Sequence, residues 1–406
     1  MSANPPRPTG ELLSADEAAA RLGVRKATLY AYASRGLLTP LADPTHPKRS
    51  RYLAEDVDRL KDAARANRQP ASESARTLYE GRPLVDTALT GWVGGQWVIR
   101  GEPLVPWSAH ATLEQTAALL WQVPEAVAFG GPPPQLSALW HQTAAELRRA
   151  DPQSRAMALW SLALPHLAGN VGLTGDALAV ALGQHLRVAF ACFLGQSPSA
   201  LPLHEQMAQA WGLPASRHAA LRQTLVLCAD TLLNLSSLSS RMIASAQGSL
   251  AACLLAGMNY GFIRLSGGEF EAVEALFDAV LASGDPAAVA AAYRARGEVL
   301  PGFNHPMLVQ GDPRAAALVA LATSLGSPAQ QWVAPMAQAH QLHPALDFGL
   351  VAVRRAVEGP RDAALTLVDA ARCAGLLAHV LEQRQNVARM WVQARYVGPP
   401  PICRSD

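Results

Sequence analysis

The sequence predicts an all-α protein: a long helical body behind a small helix-turn-helix head. Three observations carry that expectation. Apolar residues recur at helical spacing through most of residues 111–385. Strand-like patterning is confined to Gly91–Ile99, around Trp92 and Trp97. Charge is unevenly spread, with twelve Lys/Arg against eight Asp/Glu in residues 1–70 and a small acidic excess thereafter. Half of the 406 residues are apolar and 16% are charged, which supports a large core and excludes wholesale disorder. A formal net charge of +2 excludes a chain that is polycationic throughout. The expected division is a head over residues 1–70 and a body over residues 71–406.

The head opens with Ser14 and Glu17, spaced as a capping box for a helix over Ala15–Leu22. Gly23 permits a tight turn and Val24 plugs the gap to a second helix over Arg25–Ser34, which Gly36 stops. Leu29 points inward, leaving Arg25, Lys26, Thr28 and Tyr32 to face outward. A basic stretch, Lys48-Arg49-Ser50-Arg51-Tyr52, precedes a last helix over Glu55–Ala66 that buries Val57 and Leu60. LSADEAAARLGVRKATLYAYASRGLL and KRSRYLAEDVDRL together resemble the winged helix-turn-helix domains of the MerR and excisionase type. That resemblance implies duplex DNA as a partner, with Arg25, Lys26, Thr28 and Tyr32 near the groove and Arg49 and Arg51 on phosphates. A protein-contacting or vestigial head with solvated charges is the alternative.

The body reads as successive helices: Ala111–Trp121, Gln135–Ala150, Ser154–Leu167, Asp176–Leu194, His204–Gly212, Ser216–Leu233 and Ser239–Asn259. Phe270–Ala282, Pro286–Ala295, Arg314–Leu325, Ala329–Leu342, Asp347–Ala356 and Arg361–Gln385 follow. Met242–Ile263 is an uncharged run long enough to span a bilayer. Its Ser245, Gln247, Ser249 and Asn259 favour a buried central helix instead. Five scattered cysteines without Cys-x-x-Cys spacing fit reduced, packed thiols. Met1–Gly10 is Pro-rich without an apolar core, so no signal peptide is read and the chain is expected to be cytoplasmic. No metal site is read: His340 and His343 lack a third ligand nearby. Gly94-Gly95 and Gly130-Gly131 lack the setting of a phosphate cradle, and the serines at 236–240 lack a paired base.

GFNHPMLVQGDPRA (Gly302–Ala315), HPALDFGL (His343–Leu350) and AGLLAHVLEQ with ARYVGP (Ala374–Pro399) resemble the citrate synthase family. ATLEQTAALLW (Ala111–Trp121) and LCADTLLNLSSLSSRMIASA (Leu227–Ala246) match earlier stretches in the same order. The resemblance implies a helical dimer in which a large domain and a smaller mobile one, about residues 267–360, close over oxaloacetate and acetyl-CoA. No bound cofactor is implied; acetyl-CoA or another acyl-CoA is the co-substrate. Asp347 matches the carboxylate that removes a methyl proton, His305 the histidine that polarises the keto acid, and Arg314 a carboxylate-binding arginine.

Three other positions are altered. Ser266 stands where the family has its enol-stabilising histidine, Thr231 where a substrate-binding histidine follows the aspartate, and Trp391 where a second carboxylate-binding arginine is usual. Asn304 replaces a usual glycine beside His305. Loss of one preorganised oxyanion donor costs roughly 10²–10³ in rate. A lost charge-assisted hydrogen bond to a carboxylate costs about 1.5–3 kcal/mol. The expectation is therefore citrate synthase-type condensation that is weak, altered or lost. The alternatives are a metabolite-responsive DNA-binding regulator and a non-catalytic partner of an intact paralogous subunit.

Overall fold

The computed structural model describes residues 12–34, 38, 40–43, 50–54, 56–58, 85–94, 96–167, 172–231, 233–259, 269–303, 308, 311–340, 342–386 and 390. The chain divides into two compact units, Met1–Asp86 and Thr87–Asp406.

In the first unit, β1 (Leu12–Ser14), β2 (Leu41–Ala42) and β3 (Ser50–Leu53) form an antiparallel sheet ordered β1-β3-β2. Helices α1 (Ala15–Leu22) and α2 (Lys26–Ser34) pack with it. The capping box forms as its spacing predicts: Ser14 Oγ accepts from Glu17 N–H, and Glu17 accepts from Ser14 N–H at 2.7 Å. Gly23 ends α1 at φ 69°, a left-handed conformation that favours glycine. Leu13, Ala18, Leu29, Leu38, Tyr52 and Val57 form the core. Tyr32, expected to face outward, instead packs against that core, and Tyr30 is the half-exposed aromatic of α2. Gly36 and most of the expected third helix lie outside the described residues.

The second unit begins with a three-stranded antiparallel meander of β4 (Thr90–Val93), β5 (Gln96–Ile99) and β6 (Glu102–Pro103). Trp92 and Trp97 pair across it in an edge-to-face contact. Helices then dominate: α3 (Leu104–Ser108), α4 (Leu113–Trp121), α5 (Glu125–Phe129), α6 (Ala138–Glu146), α7 (Pro152–Ala163) and α8 (Gly175–Leu194). They continue as α9 (Leu203–Ala210), α10 (His218–Leu227), α11 (Leu235–Ser245), α12 (Leu250–Gly257), α13 (Phe270–Ser283) and α14 (Pro286–Ala295). The series closes with α15 (Pro313–Ser324), α16 (Ala329–His340), α17 (Leu346–Val357) and α18 (Ala363–Gln385).

Helix α18 is the axis of this unit, packing against α4, α8, α10, α11, α12 and α17. Tryptophans fix the layers around it while satisfying their indole N–H groups. Trp121 donates to the Ala374 carbonyl of α18 at 2.9 Å, and Trp160 donates to the Ala251 carbonyl of α12 at 3.1 Å. Helices α8 and α18 are long and apolar enough to cross a membrane, but 72% and 89% of their apolar windows are buried inside the fold. They are core helices by packing.

Two sequence expectations are corrected. The single central helix over Met242–Ile263 is in fact interrupted: α11 ends at Ser245 and α12 begins at Leu250. Gln247 adopts φ 61°, and a Cβ on Gly248 would collide with Ile243, so this turn is specified by local sterics that apolarity counts miss. Likewise the helix expected over Ser216–Leu233 stops at Leu227. The following residues leave the helix because Ala229 and Asp230 pair with α18 and β4 instead: Gly375 N–H donates to the Ala229 carbonyl at 3.0 Å and Thr90 Oγ1 to Asp230 at 2.8 Å.

Candidate active site

Gly302 and Phe303 bring two of the C-terminal motifs together. Gly302 sits at φ 72° against Val273 and Phe348, where a side chain would be strained and crowded. Its carbonyl accepts from Ala345 N–H at 2.8 Å, and Phe303 meets Phe348 edge to face at 4.9 Å. The segment leading toward His305 is thereby pinned beside the start of α17, where Asp347 resides. His305 itself, with Ser266 and Trp391, lies outside the described residues.

Asp347 occupies the first turn of α17, and its Oδ2 accepts from Glu269 N–H at 3.0 Å. Burial pushes its carboxyl up to about 6. The Glu269 N–H opposes that rise, the Glu269 and Asp312 carboxylates add to it, and Arg314 pulls against it. A carboxylate poised near 6 is a competent proton acceptor that still ionises at neutral pH.

Arg314 opens α15 and is almost wholly enclosed, at 2% exposed. Its Nε lies 3.0 Å from Asp312 Oδ1 and its Nη2 2.7 Å from Asp312 Oδ2, a bidentate pair. Nη1 reaches the Asp230 carbonyl at 3.4 Å, and the guanidinium lies 4.2 Å from the centre of the Trp97 ring. A substrate carboxylate that uses Arg314 must therefore share it with Asp312.

Thr231 follows Asp230 in the loop after α10 and is part-buried, its carbonyl 3.3 Å from Thr90 Oγ1. The Cys228 thiol at the end of α10 marks how the charges converge. Burial pushes it up to about 12, while Arg314, Asp312, Arg372 and Asp347 all act on it. Arg372 thus joins Asp347 and Arg314 around this loop, one turn before Gly375 on α18. No motif quoted above contained it; a lone arginine inside the apolar run of α18 was the available signal. Asp369 accompanies it, its carboxyl pushed up to about 7 by burial against the pull of Arg372. Neither Asp369 oxygen has a hydrogen-bond partner among the described residues. Arg384, farther along α18, donates to the Gly248 carbonyl at 2.8 Å.

In the head, the expected DNA-facing cations are partly committed. Lys26 pairs with Asp16 at 2.6 Å, and Arg51 Nε with the buried Asp43 at 2.9 Å. Arg25 is exposed, Thr28 is half-buried, and Arg49 lies outside the described residues.

The family pattern for the citrate synthase C-terminal domain matches residues 77–395. This chain belongs to the citrate synthase family. A second pattern, the MerR HTH family regulatory protein, matches residues 13–65 of this citrate synthase-family chain. Curated relatives named "Putative citrate synthase 2", from Mycobacterium tuberculosis and Mycobacterium bovis, are 30% identical over 202 residues, 47% of this chain. The match spans about half of those relatives' length, 54%. Among solved structures, citrate synthase from Thermotoga maritima superposes with a TM-score of 0.64 at 18% identity, over 82% of this chain and 99% of that one. Citrate synthase from Thermoplasma acidophilum, solved as a ternary complex with carboxymethyl coenzyme A and oxaloacetate, gives 0.64 at 20% identity over 80% and 96%. These likenesses confirm the helical citrate synthase fold.

The raised carboxyl of Asp347 has a cost in stability whose sign is fixed. The folded state holds this proton up to about pH 6 and the unfolded chain releases it near 4, so stability declines as pH rises through that window. Asp347→Asn should therefore be more stable than wild type at pH 7.5 by roughly 2–3 kcal/mol in urea unfolding, the gap closing near pH 4. An unchanged midpoint at both pH values would refute the buried placement of this carboxyl.

Proposed function

We propose that this chain binds an acyl-CoA and a 2-oxo acid at the Asp347 site and carries a weakened or altered form of citrate synthase condensation. The observation that supports this reading is Asp347 itself, held by a backbone N–H, raised to about 6 and placed beside Arg314 and Asp312. In the reaction, Asp347 takes a proton from the acyl methyl carbon. That carbon then bonds to the keto carbon, while the keto oxygen gains a proton from His305. Water afterwards cleaves the thioester. Ser266 offers the enol oxygen a shorter donor than imidazole, and Thr231 and Trp391 leave a dicarboxylate with fewer charged partners.

Activity should rise with pH through about 6, as Asp347 ionises. Wild-type protein given acetyl-CoA and oxaloacetate should form citrate at least about 10²-fold more slowly than the triple variant Ser266→His, Thr231→His, Trp391→Arg. The triple variant should exceed the product of the single effects, because groups acting as a unit are not additive. Asp347→Asn should abolish its gain. Fast wild-type turnover that survives Asp347→Asn would sink this assignment.

The functional form is a homodimer or a heteromer with a paralogous citrate synthase. Leu235, Met242 and Ile243 on α11 are 56%, 46% and 39% exposed, an apolar stripe suited to a helical interface. For the homodimer, light scattering of the purified chain at micromolar concentration should give twice the 43.0 kDa chain mass; a monodisperse monomer would contradict the homodimer and leave the heteromer.

The match to MerR-type regulators favours a second role, duplex DNA binding by the head of this cytoplasmic protein. Lys26 and Arg51 are already paired, so the exposed Arg25 carries phosphate contact, joined by Arg49 from the basic stretch. Retention of duplex DNA should fall steeply between about 50 and 200 mM salt, and charge reversal at Arg25 and Arg49 should weaken it on all sequences alike. Absence of retention at the low end would assign the head to protein contact.

A further inference from the structure

The loop that carries Thr231 is held by side chains on β4 and α18. Thr90, buried on β4, donates its hydroxyl to Asp230 Oδ2 at 2.8 Å and lies 3.3 Å from the Thr231 carbonyl. On the other side, His379 Nε2 lies 3.3 Å from Asp230 Oδ1, off the line of an ideal hydrogen bond. His379 Nδ1 accepts from Arg241 Nε at 3.0 Å, which assigns the ring proton to Nε2, toward Asp230. Arg241 is in turn paired with Glu382, whose carboxylate also accepts from Thr87 Oγ1 at 2.8 Å and Ala88 N–H at 2.7 Å.

These residues sit on β4, the segment before it, α11 and α18, so one polar chain ties four parts of the unit to a single loop. Burial pushes the Asp230 carboxyl upward, but His379, Thr90 and the Thr231 N–H together hold it below the usual carboxylate range. The closeness is enforced from α18 as well, because a Cβ on Gly375 would collide with Asp230 and the Ala229 carbonyl.

We propose that Thr90 is a positioning residue for the 2-oxo acid, acting through Asp230 on Thr231, with His379, Arg241 and Glu382 as its support. The proposal rests on the reading that Thr231 faces that substrate. A threonine hydroxyl has a shorter reach than the imidazole usual at this position, so its usefulness depends on where the backbone is held. A displacement of about 1 Å is enough to cost about 10²-fold in a positioned interaction.

The test compares two variants of the full chain. Thr90→Val keeps the shape and removes the donor, whereas Thr90→Ser keeps the donor. In calorimetry, Thr90→Val should weaken oxaloacetate binding at least about tenfold, and Thr90→Ser should stay within about threefold of wild type. Acetyl-CoA binding should be unchanged in both. Amide exchange of residues 228–234 should accelerate in Thr90→Val, while that of α8 should not. Oxaloacetate binding unchanged in Thr90→Val, or equal weakening of both ligands, would overturn the positioning role. If wild-type protein binds no oxaloacetate, the parent reading fails, and loop exchange then judges the clamp: unaltered exchange in Thr90→Val overturns it, and acceleration with rescue in Thr90→Ser upholds the hold on Thr231.

Discussion

A helix enclosed along nearly its whole length is destabilised by any polar side chain that nothing answers, and α18 meets most of its polar residues with partners. Toward its N-terminus Arg372 acts on the end of α10, with Asp369 one turn before it on the same helix. Toward its C-terminus His379 and Glu382 reach α11 and the segment entering β4. Between them Gly375 offers bare backbone, so the Ala229–Asp230 turn can lie against the helix. The candidate site forms where this turn meets the starts of α15 and α17.

The cations inside the site have acidic or aromatic neighbours. Asp312 answers Arg314 twice, Trp97 covers its face, and Arg372 has Asp369 one turn away. Such pairing preserves a buried cation without ligand, but it lowers the surplus positive charge available to a dianion. This electrostatic balance acts in the same direction as the weakened condensation proposed above.

Much of the fold was legible because helical spacing and caps are local. Ser14 with Glu17 and Thr112 with Gln115 each form capping boxes. Asp347 and Arg314 were legible through short motifs whose residues stay near helix starts. What escaped depends on contacts distant in sequence. Thr90 meets Asp230 across 140 residues, and Arg241 meets His379 across 138. Periodicity carries no record of such pairs. The break between α11 and α12 escaped for the opposite reason: it is local, but set by backbone sterics at Gln247 and Gly248 rather than by polarity. Tyr32 shows the same limit in the head, where two aromatics two residues apart cannot be sorted into inside and outside by type alone.

The position of α18 along the chain bears on how the protein is made. The helix that fills the centre of the body is synthesised after the helices that surround it. Until the ribosome has released it, α4, α8, α11 and α12 lack the surface on which their apolar faces close. The head, whose core lies within residues 13–57, has everything it needs long before. Vectorial synthesis therefore yields an early folded head followed by a long interval in which the body is collapsed but unfinished. That interval is when chaperones have the most to hold.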